Sequence, residues 1–195
     1  DRNRIFIDRL RHVGTITTAD ALHWGFTGPI LRSTGVPRDL RKDAPYLAYG
    51  ELDFEVPVGI LGDNYDRYYV RMREMDESVY MIRQLMDMMP EGPINVDDRR
   101  CVFPEKTLVY TEIESLINHF KLVMDGPSVP AGDIYVAHEA PNGELGFYVV
   151  STGNGTPHKV HVRSPSFVHM GGVHKMLDGH QLADIVTTFG SVNMI

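Results

Sequence analysis

A single cysteine, Cys101, stands among 195 residues. No intrachain disulfide can form, and no cysteine-built iron–sulfur or zinc site fits within the chain. So sparing a use of cysteine fits a reducing compartment. No apolar run approaches the roughly eighteen residues that signal a membrane-spanning helix, and these residues hold no secretory-signal pattern. Positive charge is short as well: 19 Lys and Arg stand against 26 Asp and Glu, a net charge of −7. Nucleic-acid binding wants a basic face, so no nucleic-acid partner is expected. One local exception, Arg2, Arg4, Arg9 and Arg11, reads as a solvated helix face.

Familiar catalytic turns are missing too. Ser164 and Ser166 flank Pro165 without a Gly-x-Ser-x-Gly elbow. Gly153-Asn154-Gly155 joins two expected strands and opens no helix, so it is no dinucleotide fingerprint, and NAD is not expected to bind this chain. His158 and His161 fall on opposite faces of an expected strand. His169, His174 and His180 lie in an expected Gly-rich loop without ligand spacing, so no metal site is expected. Gly171-Gly172 reads as plain loop rather than an anion-binding nest.

What is present is 43% hydrophobic and 23% charged residues, the balance of a globular protein. The chain begins at Asp1 and stops at Ile195 just after an apolar-periodic segment. Both ends read as cut from a longer protein, and residues 1–195 as a single partial domain. A short helix is expected over 1–14, and a second, capped by Thr17 or Thr18, to about Trp24. Ten Gly and Pro residues make 25–62 an irregular stretch of the kind that wraps on a partner. A long helix is predicted over 63–89, because Tyr65, Tyr68, Met72, Met75, Val79, Ile82, Met86 and Met89 recur at three- and four-residue steps. That stripe is read as core; lining a cofactor is the alternative. A helix over 110–124 should turn Ile113, Leu116, Ile117, Phe120 and Val123 inward. Strands follow at 133–138, 145–151 and 158–163. Asp178 is expected to cap a last helix with Leu182, Ile185, Val186 and Phe189 inward.

The richest segment runs from Ile134 to Val150. Strand, tight turn and strand are signalled by Ala140-Pro141-Asn142-Gly143, and the first strand ends in a carboxylate, Glu139. By its sequence alone Glu139 is either an idle exposed acid or a cavity acid that shuttles protons; the idle reading is the simpler.

The Glu139-Ala140-Pro141 turn resembles the Glu-Ala-Pro-basic-Gly turn of the D subunit of NADH-quinone oxidoreductase (respiratory complex I) and of nickel–iron hydrogenase large subunits. Further likeness to the complex I family lies in Gly25-Phe26-Thr27-Gly28, Leu31-Arg32, Asp39-Leu40-Arg41-Lys42, Val56-Pro57-Val58-Gly59, Tyr65-Asp66-Arg67-Tyr68, Glu114-Ser115-Leu116-Ile117 and Gly179-His180-Gln181-Leu182-Ala183-Asp184. In this order the motifs are specific, and they extend over the whole chain, which resembles the C-terminal half of that D subunit. Asn142 departs from the family by standing where Lys or Arg is usual, and Asn193 stands where many relatives have Asp.

The resemblance implies an α+β, hydrogenase-large-subunit-like fold: a long-helix bundle with a small antiparallel sheet. It implies electron transfer from NADH, through flavin and iron–sulfur clusters on other subunits, to a quinone, coupled to ion pumping. No cofactor would be bound by this chain, and the last iron–sulfur cluster would sit on the neighbouring B subunit. Partners would be other complex I subunits, especially B and C and the membrane arm, with the chain peripheral on the cytoplasmic face of the bacterial inner membrane. Catalytic residues are not assigned. Glu139, Asn142, Phe167, Asn193, Met194 and Ile195 are expected to line the quinone cavity. Phe167, Met194 and Ile195 would touch the ring or its tail, and Asn142 would offer a neutral hydrogen bond. A membrane-bound nickel–iron hydrogenase large subunit and a non-catalytic scaffold are the alternatives.

Overall fold

Residues 3–194 are described by the computed structural model; expectations for Arg2 and Ile195 lie outside the described residues. Helix α1, Arg4–Leu10, is capped by Asn3, whose side chain accepts from the Ile5 and Phe6 amides. Helix α2, Thr18–His23, is capped by Thr17, whose hydroxyl accepts from the Asp20 amide at 3.1 Å. This Thr cap supplies one of the acceptors that the first turn of a helix lacks. The stretch expected to be irregular holds α3, Gly28–Ser33, and α4, Leu40–Asp43, together with a single 3-10 turn at Tyr49–Glu51. Pro29 hides α3 from a breaker-based reading, because proline in a first turn removes an N–H that has no helical partner there.

The long helix, α5, spans Asn64–Met88. Helices α6, Lys106–Thr111, and α7, Ile113–Met124, follow. Strands β1, Gly132–Ala140, β2, Gly143–Ser151, and β3, Lys159–Arg163, form a three-stranded antiparallel sheet in the order β1-β2-β3. Two more helices close the chain, α8, Pro165–Leu177, and α9, Asp184–Val192. The fold class is α+β. No described helix is long and apolar enough to cross a membrane.

Two compact units make up the chain. One comprises Asp1–Met88, Ala137–Gly146 and Val162–Ile195; the other comprises Met89–Val136 and Phe147–His161. The first has the main core: Ile16, Ala21, Phe26, Ile30, Leu31, Val173, Met176 and Val192 pack together, flanked by Trp24 and Met194. In the second, α7 buries only Ser115, and the residues expected to point inward, Ile113 to Val123, are exposed.

Helix α5 overturns its predicted burial. Of the apolar stripe, Met72, Met75, Val79, Ile82, Met86 and Met89 are exposed. The covered face is instead Asn64, Arg67, Val70 and Met81. Periodicity shows which residues share a face, but not which face meets a neighbour. Arg67 is fully buried and uses its fork on neutral oxygens: Ser191 Oγ at 2.9 Å, Gly62 O at 2.8 Å, Gly14 O at 2.6 Å, and Asn64 Oδ1. Burial, then repulsion from Arg71, pulls its pKa down to about 9, so it stays charged at neutral pH. Val70 is 0% exposed and Val79 50%. Val70→Ala should therefore cost about 2 kcal/mol, while Val79→Ala should stay within about 0.5 kcal/mol. Equal unfolding midpoints for the two variants would refute this assignment of faces.

The expected Gly-rich loop around His169 is helix α8. Its glycines permit close packing: a Cβ on Gly172 would lie 2.5 Å from Phe26 Cζ. The last helix starts at Asp184, not Asp178, which instead ends α8. Its buried face is Asp184, Thr188 and Val192, whereas Leu182, Ile185, Val186 and Phe189 are exposed. The polar members of that face again explain the miss.

Candidate functional site

The β1–β2 turn is seated on the start of α3 by two glycines that cross with no side chain between them. Gly28 has φ +66° and Gly143 φ +128°, angles that L side chains rarely adopt. A Cβ on Gly28 would meet Gly143 Cα at 2.5 Å, and one on Gly143 would meet the Thr27 carbonyl carbon at 2.8 Å. The Glu144 amide donates to Thr27 Oγ1 at 3.0 Å and completes the seat.

This crossing brings Glu139 to Arg32. Arg32 Nη1 donates to Glu139 Oε1 at 2.8 Å and to the Arg38 carbonyl at 2.9 Å, while Nε donates to Glu74 Oε1 at 2.7 Å. The Leu40 amide donates to Glu139 Oε2 at 3.3 Å, and the Glu139 amide donates to the Tyr46 hydroxyl at 3.2 Å. Asp39 accepts a fork from Arg41 and lies 3.6 Å from Arg32. Glu139 is therefore not the exposed acid of the simpler reading: its side chain is 5% accessible and ion-paired.

The environment sets the charges of this cluster. Burial alone would weaken the Arg32 cation, but Glu74, Glu139 and Asp39 outweigh it and hold its pKa above the ordinary value. Burial raises the Glu74 pKa, and Arg32 only partly offsets it. Asp39 is held below the usual carboxylate range because the bonds from Arg41, with help from Arg32, overcome its burial.

Beside the cluster lies a cavity of about 730 Å³. One wall is Glu139, Ala140, Pro141 and Asn193; Arg32, Arg71 and Glu74 supply charge; Phe6, Tyr68, Met72 and Met75 supply apolar surface. Its size is that of a small-molecule pocket, mostly apolar with a few converging polar groups. Met72 and Met75, expected in the core, line this cavity instead.

Of the residues expected at the site, Glu139 and Asn193 line the wall. Asn142 stands behind Asn193: its amide nitrogen donates to the Asn193 carbonyl at 2.7 Å and to Ser166 Oγ at 3.3 Å, and it accepts from Asn193 Nδ2 at 3.0 Å. Both its N–H groups are engaged, so it has none left to offer a ligand. The turn, the end of α9 and the first turn of α8 do come together, but through Ser166. Phe167 is 83% exposed and lies off the cavity wall. Met194 packs on the main core. Asn142→Ala removes three hydrogen bonds and frees Asn193, which is held at φ +54°. A loss of about 1–2 kcal/mol is expected, readable as a lowered unfolding midpoint.

Sequence reasoning names Arg32, Asp39 and Arg41 only within resemblance motifs, without a role at the site, and does not name Arg71 or Glu74. Asp39 and Arg41 are two apart in sequence and carry a local signal, whereas nothing links Arg32 with Glu74, 42 positions away. Among the described residues, no group of three or more His, Cys, Asp and Glu side chains is placed to hold a metal.

The family described as respiratory-chain NADH dehydrogenase, 49 kDa subunit, matches residues 1–195. The chain belongs to that family. It is 69% identical over 195 residues to the NADH-quinone oxidoreductase D subunit of Pelobacter propionicus, covering 100% of this chain and 48% of the relative. It is 53% identical over 193 residues to the D subunit of Myxococcus xanthus, covering 99% of the chain and 46% of the relative. The mitochondrial NADH-ubiquinone oxidoreductase 49 kDa subunit of Neurospora crassa is 48% identical over 193 residues, covering 99% and 40% respectively. The chain thus spans about half the length or less of these curated relatives. The expectation that the matched part is their C-terminal half is not supported by these comparisons and is set aside. These relatives do not favour the hydrogenase alternative.

Proposed function

We propose that this chain forms part of the quinone site of an NADH-quinone oxidoreductase, and that the cavity beside Glu139 and Arg32 receives the quinone ring. The observation that carries this reading is a largely apolar cavity of about 730 Å³ bordered by a buried, ion-paired carboxylate, in a chain whose relatives bear quinone in their names. An apolar chamber suits a neutral ring, and a few fixed polar groups suit its two oxygens. Met72 and Met75 give adaptable, polarizable contact. Glu139 and Arg32 fix the wall and its charge, and Glu74, whose pKa is raised by burial, is the carboxyl best suited to hold or pass a proton.

In this reading, electrons come from NADH through flavin and iron–sulfur clusters on other subunits, with the B and C subunits and the membrane arm as neighbours. The chain sits peripherally, on the cytoplasmic face of the bacterial inner membrane. The hydrogenase-like long-helix bundle is completed by the half of such a subunit that these residues do not span, and Val79, Ile82 and Met86 of α5, exposed and off the cavity wall, face it.

Photolabelling of the assembled complex tests the reading. An azido-quinone should label peptides containing residues 68–78 and 139–141, and excess unlabelled quinone should displace it. Label confined to other segments or other subunits would remove the cavity from the quinone site.

A further inference from the structure

We infer that Arg71 is the hydrogen-bond donor that holds an acceptor oxygen of the ring ligand in this cavity; the inference rests on the quinone reading above. Arg71 lines the cavity, and its Nε and Nη2 atoms are buried with no hydrogen-bond partner among the described residues. Buried guanidinium donors are costly to leave unpaired. The neighbouring arginines are already committed: Arg32 donates to Glu74, Glu139 and the Arg38 carbonyl, and Arg41 to Asp39. Glu74 attracts Arg71 through space, but its Oε1 accepts from Arg32. A partner that arrives with a ligand resolves the deficit.

The surroundings define that ligand. Tyr68 and Met75 lie three residues before and four after Arg71 on α5, so all three share one helix face, and Met72 lines the same cavity. An apolar, planar body against these side chains leaves its oxygen at the guanidinium. The local charges are balanced: Arg32, Arg41 and Arg71 stand against Asp39, Glu74 and Glu139. A neutral carbonyl acceptor fits this balance, whereas a phosphate or carboxylate would meet three acids. Arginine's planar fork, unlike an ammonium, also stays matched to such an acceptor with little freedom to lose.

Arg71→Met and Arg71→Lys, made in the full-length subunit of the assembled oxidoreductase, test the assignment with decylubiquinone as probe. Arg71→Met should raise the quinone KM by about tenfold or more, with a smaller change in kcat. NADH-driven reduction of ferricyanide, which needs no quinone, should be unchanged. Arg71→Lys should fall between the two, because it keeps the charge and loses the fork. A KM within about twofold of wild type in Arg71→Met overturns the inference. Should that variant fail to assemble, an unchanged KM in Arg71→Lys overturns it equally. The azido-quinone separates this from failure of the quinone reading. Wild-type label on 68–78 that persists undiminished in Arg71→Met rejects Arg71 alone, whereas no wild-type label there rejects the site and Arg71 together.

Discussion

Arg32→Met is expected to destabilise the protein by about 3–5 kcal/mol, because it strands carboxylates in the interior. The Arg32 side chain is 2% accessible, and its partners Glu139, Asp39 and Glu74 are 5%, 1% and 17% accessible. Methionine fills much of the arginine's volume, so the loss measures missing charge and hydrogen bonds more than a cavity. Asp39 keeps Arg41, and Glu139 keeps the Leu40 amide; Glu74 loses its ion pair with Arg32. Arg32→Lys should recover only part of the loss, since one ammonium cannot reach Glu74 and Glu139 with the two separate nitrogens that now do so. Glu139→Gln, which retains an acceptor for Arg32, should cost less than half as much as Arg32→Met. Chemical unfolding of the full-length subunit would measure all three. An Arg32→Met loss below about 1 kcal/mol would show that the cluster contributes little beyond an exposed pair.

Acid should weaken the fold from about pH 6.5 downward, above the ordinary carboxylate range, and His169 is the cause. The ring is fully buried, accepts from the Thr27 amide through Nε2 at 3.4 Å, and meets Phe26 edge-on at 5.2 Å. Burial, reinforced by the cation of Arg163, lowers its pKa to about 4. In an unfolded chain it protonates near pH 6.5. Between those values the unfolded chain carries the extra proton, so stability falls as pH falls. The full effect is about 3 kcal/mol at most, accumulated between pH 6.5 and about 4 and absent at higher pH. Asp39, held below the usual carboxylate range, adds its own loss at lower pH. His169→Gln keeps an acceptor for Thr27 but cannot titrate, so its stability should be flatter over that range. Parallel pH profiles for His169→Gln and wild type would refute the assignment.

The sequence makes the backbone legible and the burial much less so. Helix α5 is readable to within a residue at each end because its stripe repeats strictly and Pro90 follows it. The sheet is equally clear, since Pro141-Asn142-Gly143 and Asn154-Gly155 permit few geometries. What fails is the inside face. Helices α5, α7 and α9 bury Asn64 and Arg67, Ser115, or Asp184 and Thr188, and leave long apolar stripes uncovered. A rule that equates apolar with inside inverts such helices. The site is half legible for a similar reason. The turn announces Glu139, but its partner Arg32 lies 107 positions earlier and Glu74 sits among ordinary helix charges. Phe167 reads as a cavity residue because it is apolar and follows the Pro165 turn, while Ser166, one residue earlier, makes the contact.

The Gly28–Gly143 crossing bears on how such a protein tolerates genetic drift. Two main chains in direct contact form a mechanical stop whose thickness no substitution elsewhere can change. Core residues behind it, such as Ile30 or Met176, can exchange size over generations, and the strain need not reach the spacing between Glu139 and Arg32. The Glu139 side of the cavity wall is thereby insulated from drift in the core, and its chemistry can be retuned without being rebuilt.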